Sequence, residues 1–274
     1  MGSNAPSNLS RRRALLYGRR KGPKLSAHQE ELRRTLLPKL ALRLEQGADP
    51  RTYFSPPPCL SGVAQGAKPD GEVDDVWLEV GFGSGEHLLE QARANPRVGL
   101  IGAEPYEAGV AKLLSKLSLS PTGGEVEGDE RKPDMAFAAR AGEGVSNIRI
   151  HEGDARDIVE ALPDACLGRV FILFPDPWPK TRHHKRRFVQ TEMLDALARV
   201  MKPGAELRLA SDDSAYVDWT LERLLAHPDF SWAAERAADW KIRPPDWPET
   251  RYETKALHGP PAYLLFARRS KMAP

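Results

Sequence analysis

A chain of 274 residues, 41% of them hydrophobic, is long enough to bury a full core and reads as one α/β domain with extensions rather than two complete domains. Its two cysteines, Cys59 and Cys166, lie far apart and outside any Cys/His cluster, so neither a disulfide framework nor a metal site is expected, and no apolar run approaches the roughly 20 residues that span a bilayer. The net charge of +2 conceals an uneven layout: residues 1–50 hold 11 Lys or Arg against Glu30, Glu31, Glu45 and Asp49, a local +7 that leaves −5 for the remainder.

Seven of those cations fall between Arg11 and Lys24, ahead of a helix expected over about Ala27 to Glu45. The basic start lacks the apolar stretch of a signal peptide, so a soluble, cytoplasmic protein is expected. Residues 55–71, with "SPPPC" and several glycines, read as a linker that closes a basic N-terminal extension at about residue 72. A single domain follows over 73–270.

Within it, short apolar runs at Val76–Val80, Val98–Ala103, Ile148–His151, Val170–Phe174 and Glu206–Ala210 alternate with helical stretches such as His87–Ala94 and Ala108–Leu117. That alternation predicts a parallel sheet of βα units. After the first strand comes "LEVGFGSGEH", Leu78 to His87. Gly81, Gly83 and Gly85 between a strand and a helix let the backbone approach a nucleotide-like ligand at free helix N–H groups. The dinucleotide fingerprint fails on spacing, because Glu86 stands where its third glycine belongs. Glu79 lies inside the strand as an acceptor for an ammonium or for the loop backbone.

The second strand ends at Glu104, 19 residues after Gly85, where doubly wound folds set an acid against ribose hydroxyls. Beyond the next helix, about 118–143 is rich in Gly, Pro and charge and reads as a mobile insertion. Asp154 follows the third strand. The fourth runs into "FPDPWPKTRHHKRR", Phe174 to Arg187, which puts Asp176 and Trp178 at the strand's carboxyl end and a dense basic run directly behind them. Two basic segments in an otherwise slightly acidic chain suggest one polyanion-binding surface. Trp178 is open to two roles, stacking on a base or capping the core. His183 and His184 lack ligand spacing and are read as facing RNA or solvent.

A helix starting near Gln190 is expected to stop at Pro203-Gly204, where a fifth strand begins. "FSWAAE" (Phe230 to Glu235) and "AYLLFA" (Ala262 to Ala267) make a further pair of strands around a Trp- and Pro-rich excursion.

The glycine loop, Glu104 and Asp154 together resemble the S-adenosylmethionine pocket of class I methyltransferases. With "GRRKG" (Gly18 to Gly22), "GAEPY", "FPDPWPKTRHHKRRF", "LASDD" (Leu209 to Asp213) and "TRYE" (Thr250 to Glu253), the chain is similar to bacterial tRNA (guanine-N7-)-methyltransferases. The resemblance implies a Rossmann-like, doubly wound, mostly parallel seven-stranded sheet with one antiparallel strand. It implies S-adenosylmethionine as cofactor and tRNA as partner, methylated at N7 of a variable-loop guanine (position 46) by a monomer or weak homodimer. It further implies cofactor contacts at Glu79, Gly81, Gly83, Gly85, Glu104, Asp154 and Asp176, with Asp176 also catalytic. Substrate contacts fall on Lys180, Asp212, Thr250, Arg251, Tyr252 and Glu253, and RNA contacts on Arg182, His183, His184, Lys185, Arg186 and Arg187. Methylation of another RNA, and a non-catalytic RNA-binding protein on a methyltransferase fold, are the alternatives.

Overall fold

The computed structural model describes residues 20, 22–54, 73–118, 145–248, 250, 253–254 and 258–270. The Pro/Gly-rich linker, the body of the insertion, most of the basic segment between 11 and 24, and Arg251 and Tyr252 lie outside the described residues.

The first helix, α1 (Ala27–Thr35), starts from a capping box: Gln29 N–H donates to Ser26 Oγ at 3.2 Å and Ser26 N–H to Gln29 Oε1 at 3.1 Å. It does not run on to Glu45. Pro38 has no N–H to return to Arg34, and its ring meets that carbonyl, so the helix stops and restarts as the short α2 (Leu37–Leu40) with the proline in its first turn. The chain then joins the sheet edge, where Leu42 N–H donates to Ile150 O at 2.8 Å.

The domain proper alternates as the apolar runs predict: β1 (Asp75–Val80), α3 (Glu86–Ala94), β2 (Val98–Ala103), α4 (Glu107–Ser118), β3 (Ile148–His151), α5 (Ala155–Ala161), β4 (Leu167–Leu173), α6 (Thr191–Val200), β5 (Met201–Ser211), α7 (Ser214–Ala226), β6 (Phe230–Trp232), α8 (Ala238–Lys241) and β7 (Ala262–Arg268). The seven strands line up as β3-β2-β1-β4-β5-β7-β6, with β1 to β5 parallel and β7 antiparallel to both of its neighbours. Continuous apolar strands suit this arrangement because helices cover both faces. Val76, Leu78 and Ile101 pack toward α5, α6 and α7, while Trp77, Leu100 and Phe171 pack toward α3 and α4.

Two elements depart from the sequence reading. Helix α6 ends at Val200 and β5 begins at once, running through Pro203-Gly204 rather than after them. The β4/β5 pairing jumps there from Leu167↔Met201 to Arg169↔Glu206, which takes the N–H-less Pro203 and the left-handed Gly204 (φ 80°) out of the ladder. β6 covers only Phe230–Trp232, and Ala233 N–H adds one further bond to Leu265 O of β7 at 3.0 Å.

The strand order fixes where a ligand sits. The chain winds outward from β1 to β3, then crosses back to β4 on the other side of β1. Adjacent strands whose helices leave in opposite directions open a crevice at their carboxyl ends. That switch point lies between β1, which ends in the glycine loop, and β4, which ends in "FPDPW".

Candidate active site

The loop after β1 requires its glycines. Gly81, Gly83 and Gly85 have φ of 69°, 57° and 75°, left-handed values that strain any residue with a Cβ. A Cβ at Gly85 would sit 2.7 Å from Leu113, whereas none of the described atoms lies within 4 Å of the corresponding point at Gly81. The loop is therefore tight against α4 and open at Gly81.

Glu104 locks the loop from the end of β2. Its Oε2 accepts from Gly83 N–H at 2.7 Å and its Oε1 from Tyr106 N–H at 2.8 Å. The side chain is buried, and that burial pushes its carboxyl up to about 7 against the opposing pull of the two N–H donors, with the negative charges of Asp176 and Glu79 adding to the rise. Acids from the ends of β1, β2 and β4 thus converge on the switch point. Asp176 reaches solvent, yet the surrounding protein displaces part of its hydration and raises its carboxyl above the ordinary range.

Glu79 is buried and meets His87 Nδ1 at 2.7 Å from its Oε2. Glu79, Gly81, Phe82, His87, Phe174 and Thr250 border one opening beside the loop. Sequence reasoning passed over His87. The signal was present: a histidine in the first turn of a helix whose other buried members are mostly apolar, eight residues after a strand acid.

The segment after β4 is held in an uncommon shape. Phe174 and Trp178, both aromatic, adopt left-handed φ of 46° and 44° and bracket Pro175-Asp176-Pro177. Trp178 packs against the basic turn that follows, with the Arg186 guanidinium 4.9 Å above its ring and His183 edge-on at 5.9 Å. In that 3₁₀ turn (Thr181–Arg186), Arg182 and Lys185 are exposed, as is Lys180 just before it. His183 is pushed below the ordinary imidazole range by packing and by Arg186, Arg182, Lys180 and Lys185. His184 lies edge-on to Trp219 at 5.1 Å.

Arg187 is a correction to the expected RNA surface. It is only 2% exposed, its Nε donates to Pro177 O at 2.7 Å, and its guanidinium lies 4.8 Å from the Trp219 ring and 5.4 Å from that of Tyr216. A side chain so placed braces the Asp176 loop from beneath and offers nothing to a phosphate.

Other expected residues take mixed positions. Asp154 caps α5 through Arg156 N–H at 3.0 Å and pairs with the Arg156 side chain, so its carboxylate is already engaged. Asp212 accepts from His258 N–H at 3.2 Å. Thr250 is buried at the opening, its Oγ1 accepting from Glu253 N–H at 3.3 Å. The Glu253 carboxylate takes the Tyr263 hydroxyl and, at 3.1 Å, Arg243 Nε. This C-terminal excursion is pinned by contacts the sequence did not disclose: Arg208 Nη1 donates to Asp246 Oδ2 at 2.7 Å, and Gln91 Nε2 to Asp246 O at 2.7 Å. Trp247, buried beside them, packs on Tyr263.

Among the described residues no group of three or more His, Cys, Asp or Glu is arranged to hold a metal, and no helix is long and apolar enough to cross a membrane.

The chain matches the family described as "Putative methyltransferase" over residues 74–262, the whole of the sheet up to the start of β7. Curated relatives extend the match. The tRNA (guanine-N(7)-)-methyltransferase of Rhodospirillum rubrum is 46% identical across 95% of this chain and 90% of its own length. Its namesakes from Roseobacter denitrificans (44%, over 92% and 95%) and Paramagnetospirillum magneticum (40%, over 99% and 100%) are nearly as similar. Identity at that level along almost the full length of each protein, on top of the family match, means that the chain belongs to the tRNA (guanine-N(7)-)-methyltransferase family.

Proposed function

We propose that this chain transfers the methyl group of S-adenosylmethionine to N7 of a variable-loop guanine in tRNA. The observation that carries the reading is the meeting, at one switch point, of a glycine loop locked by Glu104 with an acid-bearing loop backed by a basic turn. The residues fit the cofactor: Gly81 is open where the loop meets the crevice, and Glu79 and Glu104 bring buried acceptors to it. When bound there, S-adenosylmethionine supplies an electrophilic methyl group on a sulfonium.

What the chain's own residues do follows from the nucleophile. Guanine N7 carries a lone pair and no proton, so the site has no proton to remove before transfer and its work is alignment and exclusion of water. Asp176 accepts hydrogen bonds from N1–H and the exocyclic amine of the base, which points N7 at the cofactor, and its charge offsets the positive charge that grows on the ring. Arg187 and the left-handed turns at Phe174 and Trp178 hold Asp176 in place. Glu104 accepts from the ribose hydroxyls, and Thr250 borders the acceptor side. Lys180, Arg182 and Lys185 contact the tRNA backbone. Asp154, its carboxylate shared with Arg156, lies near the adenine edge of the bound cofactor. Residues 73–270 form the catalytic domain, and 1–72 add a basic arm to a cytoplasmic monomer or weak homodimer.

Incubation with methyl-labelled S-adenosylmethionine and a tRNA transcript, then digestion to nucleosides, is expected to give labelled 7-methylguanosine. A transcript with adenine at the variable-loop position should take up none. Label in any other nucleoside would defeat the reading.

A further inference from the structure

The Glu79–His87 pair has a feature that the proposed roles leave unused. His87 is 2% exposed, with its ring edge-on to Phe171 at 4.5 Å, and Nδ1 is taken up by Glu79 at 2.7 Å. Its other nitrogen, Nε2, is buried with no hydrogen-bond partner among the described residues, although the side chain borders the opening with Glu79, Gly81, Phe82 and Thr250. A buried polar atom without a partner carries an uncompensated desolvation penalty, so its retention here points to a ligand group that completes it.

The identity of that group follows from the tautomer. A carboxylate oxygen only accepts, so the 2.7 Å contact puts a hydrogen on Nδ1, and a neutral ring then carries a bare lone pair on Nε2. Glu79 brings a second acceptor to the same opening. A carboxylate and an imidazole acceptor, beside a Thr250 hydroxyl that can donate or accept, suit a primary ammonium, and the ligand of the proposed reaction has one, on its amino-acid end.

We propose that His87, through Nε2, is a binding determinant for the α-ammonium of S-adenosylmethionine, with Glu79 serving both as co-ligand and as the group that fixes the imidazole tautomer. The inference rests on the function proposed above and adds the recognition of one terminus of the cofactor.

The test is calorimetry of the full chain with four probes: S-adenosylhomocysteine, its decarboxylated analogue, its deaminated analogue and 5′-methylthioadenosine. In the wild type, loss of the amine is expected to weaken binding far more than loss of the carboxylate. His87→Asn keeps an N–H where Nδ1 donates to Glu79 and removes Nε2. It should weaken S-adenosylhomocysteine and the decarboxylated analogue by about tenfold each while leaving methylthioadenosine, which has no amino-acid end, unchanged. His87→Gln, which carries an amide oxygen toward the position of Nε2, should recover part of that loss. If either variant lowered all four affinities by one factor, the residue would be merely structural and the proposal would fall. Equal wild-type affinity for the deaminated and decarboxylated analogues would overturn it without any variant. Wild-type protein that binds none of the four probes would overturn the cofactor assignment itself, a result distinct from unchanged affinities in the variants, which would overturn only the role of His87.

Discussion

A carboxyl that burial pushes up to about 7, as at Glu104, is only part ionised near neutrality. Ribose hydroxyls donate to the ionised form, so affinity for S-adenosylhomocysteine should rise with pH up to about 7 and level off above it, by at most tenfold per unit. Glu104→Gln should bind weakly at every pH and lose the slope, which calorimetry across the range can check. The sign for the ligand-free protein is opposite. A folded-state value raised above the ordinary 4.5 favours folding fully below that pH, and the contribution fades as pH climbs through about 7, so thermal unfolding without ligand should shift down over that interval. Asp176 is the second acid with a predictable titration. Asp176→Asn should abolish turnover while binding of S-adenosylhomocysteine persists, because an amide places a donor against the guanine's own donors. With both substrates saturating, wild-type single-turnover rates should show no rise with pH on the alkaline side and should fall only as the medium becomes acid enough for Asp176, whose carboxyl burial raises above its ordinary range, to gain a proton. A rate climbing tenfold per pH unit would instead reveal base catalysis.

The basic turn shows what one element hides when read as a string. "KTRHHKRR" reads as a uniform polyanion patch, yet the fold turns Lys180, Arg182 and Lys185 outward, lays Arg186 on Trp178 and buries Arg187. Which cation goes inside is decided by Tyr216 and Trp219 on α7, some thirty residues away, and no local pattern encodes that. Arg187→Ala should leave the Pro177 carbonyl unpaired and lower stability by about 1–3 kcal/mol. Arg187→Lys should not restore it, since a point ammonium lacks the flat, forked donor set that lies against both rings. Arg182→Ala should leave stability within about 0.5 kcal/mol and weaken tRNA binding instead. Equal melting temperatures for Arg187→Ala and Arg182→Ala would contradict the division. Other elements were legible because their causes are local. β2 falls where a continuous apolar run puts it and β3 where apolar Ile148 and Ile150 alternate with polar residues, and the glycine loop declares its own backbone. The break in the N-terminal helix was equally local, at Pro38, but apolar residues beyond it continued the helical spacing.

At the scale of the molecule, alternating strands and helices announced a parallel sheet, and the acids at strand ends announced which edge binds. The strand order, and with it the adjacency of the glycine loop and "FPDPW", came only from the fold. So did the anchoring of the C-terminal excursion through Arg208, Gln91 and Asp246, three residues whose partners lie up to 155 positions away. Charge layout behaves similarly. The first 50 residues sum to +7, but not all of that charge is available to a nucleic acid. Arg33 pairs with Glu152 at 2.7 Å and with Glu107 at 3.5 Å, and Arg34 pairs with Glu31 at 2.7 Å, so α1 spends its arginines on the protein's own acids. Phosphate contacts are then expected from Lys180, Arg182 and Lys185, from the cations between Arg11 and Lys24, and from the exposed Lys39 and Arg43. Each neutralised phosphate releases a counterion, which lowers the slope of log affinity against log salt by roughly 0.7–0.9 per contact. Triple replacement of Lys180, Arg182 and Lys185 by Ala should therefore flatten the slope for tRNA by about 2–3. Removal of residues 1–19 should flatten it further, and Arg33→Gln with Arg34→Gln should leave it where it was. Affinity for S-adenosylhomocysteine should hold constant in the basic-turn and α1 replacements, since Lys180, Arg182, Lys185, Arg33 and Arg34 do not border the opening at Gly81. A slope that changed with the α1 replacements as much as with the basic turn would mean that the ion pairs open on binding and that the whole N-terminal face meets the tRNA.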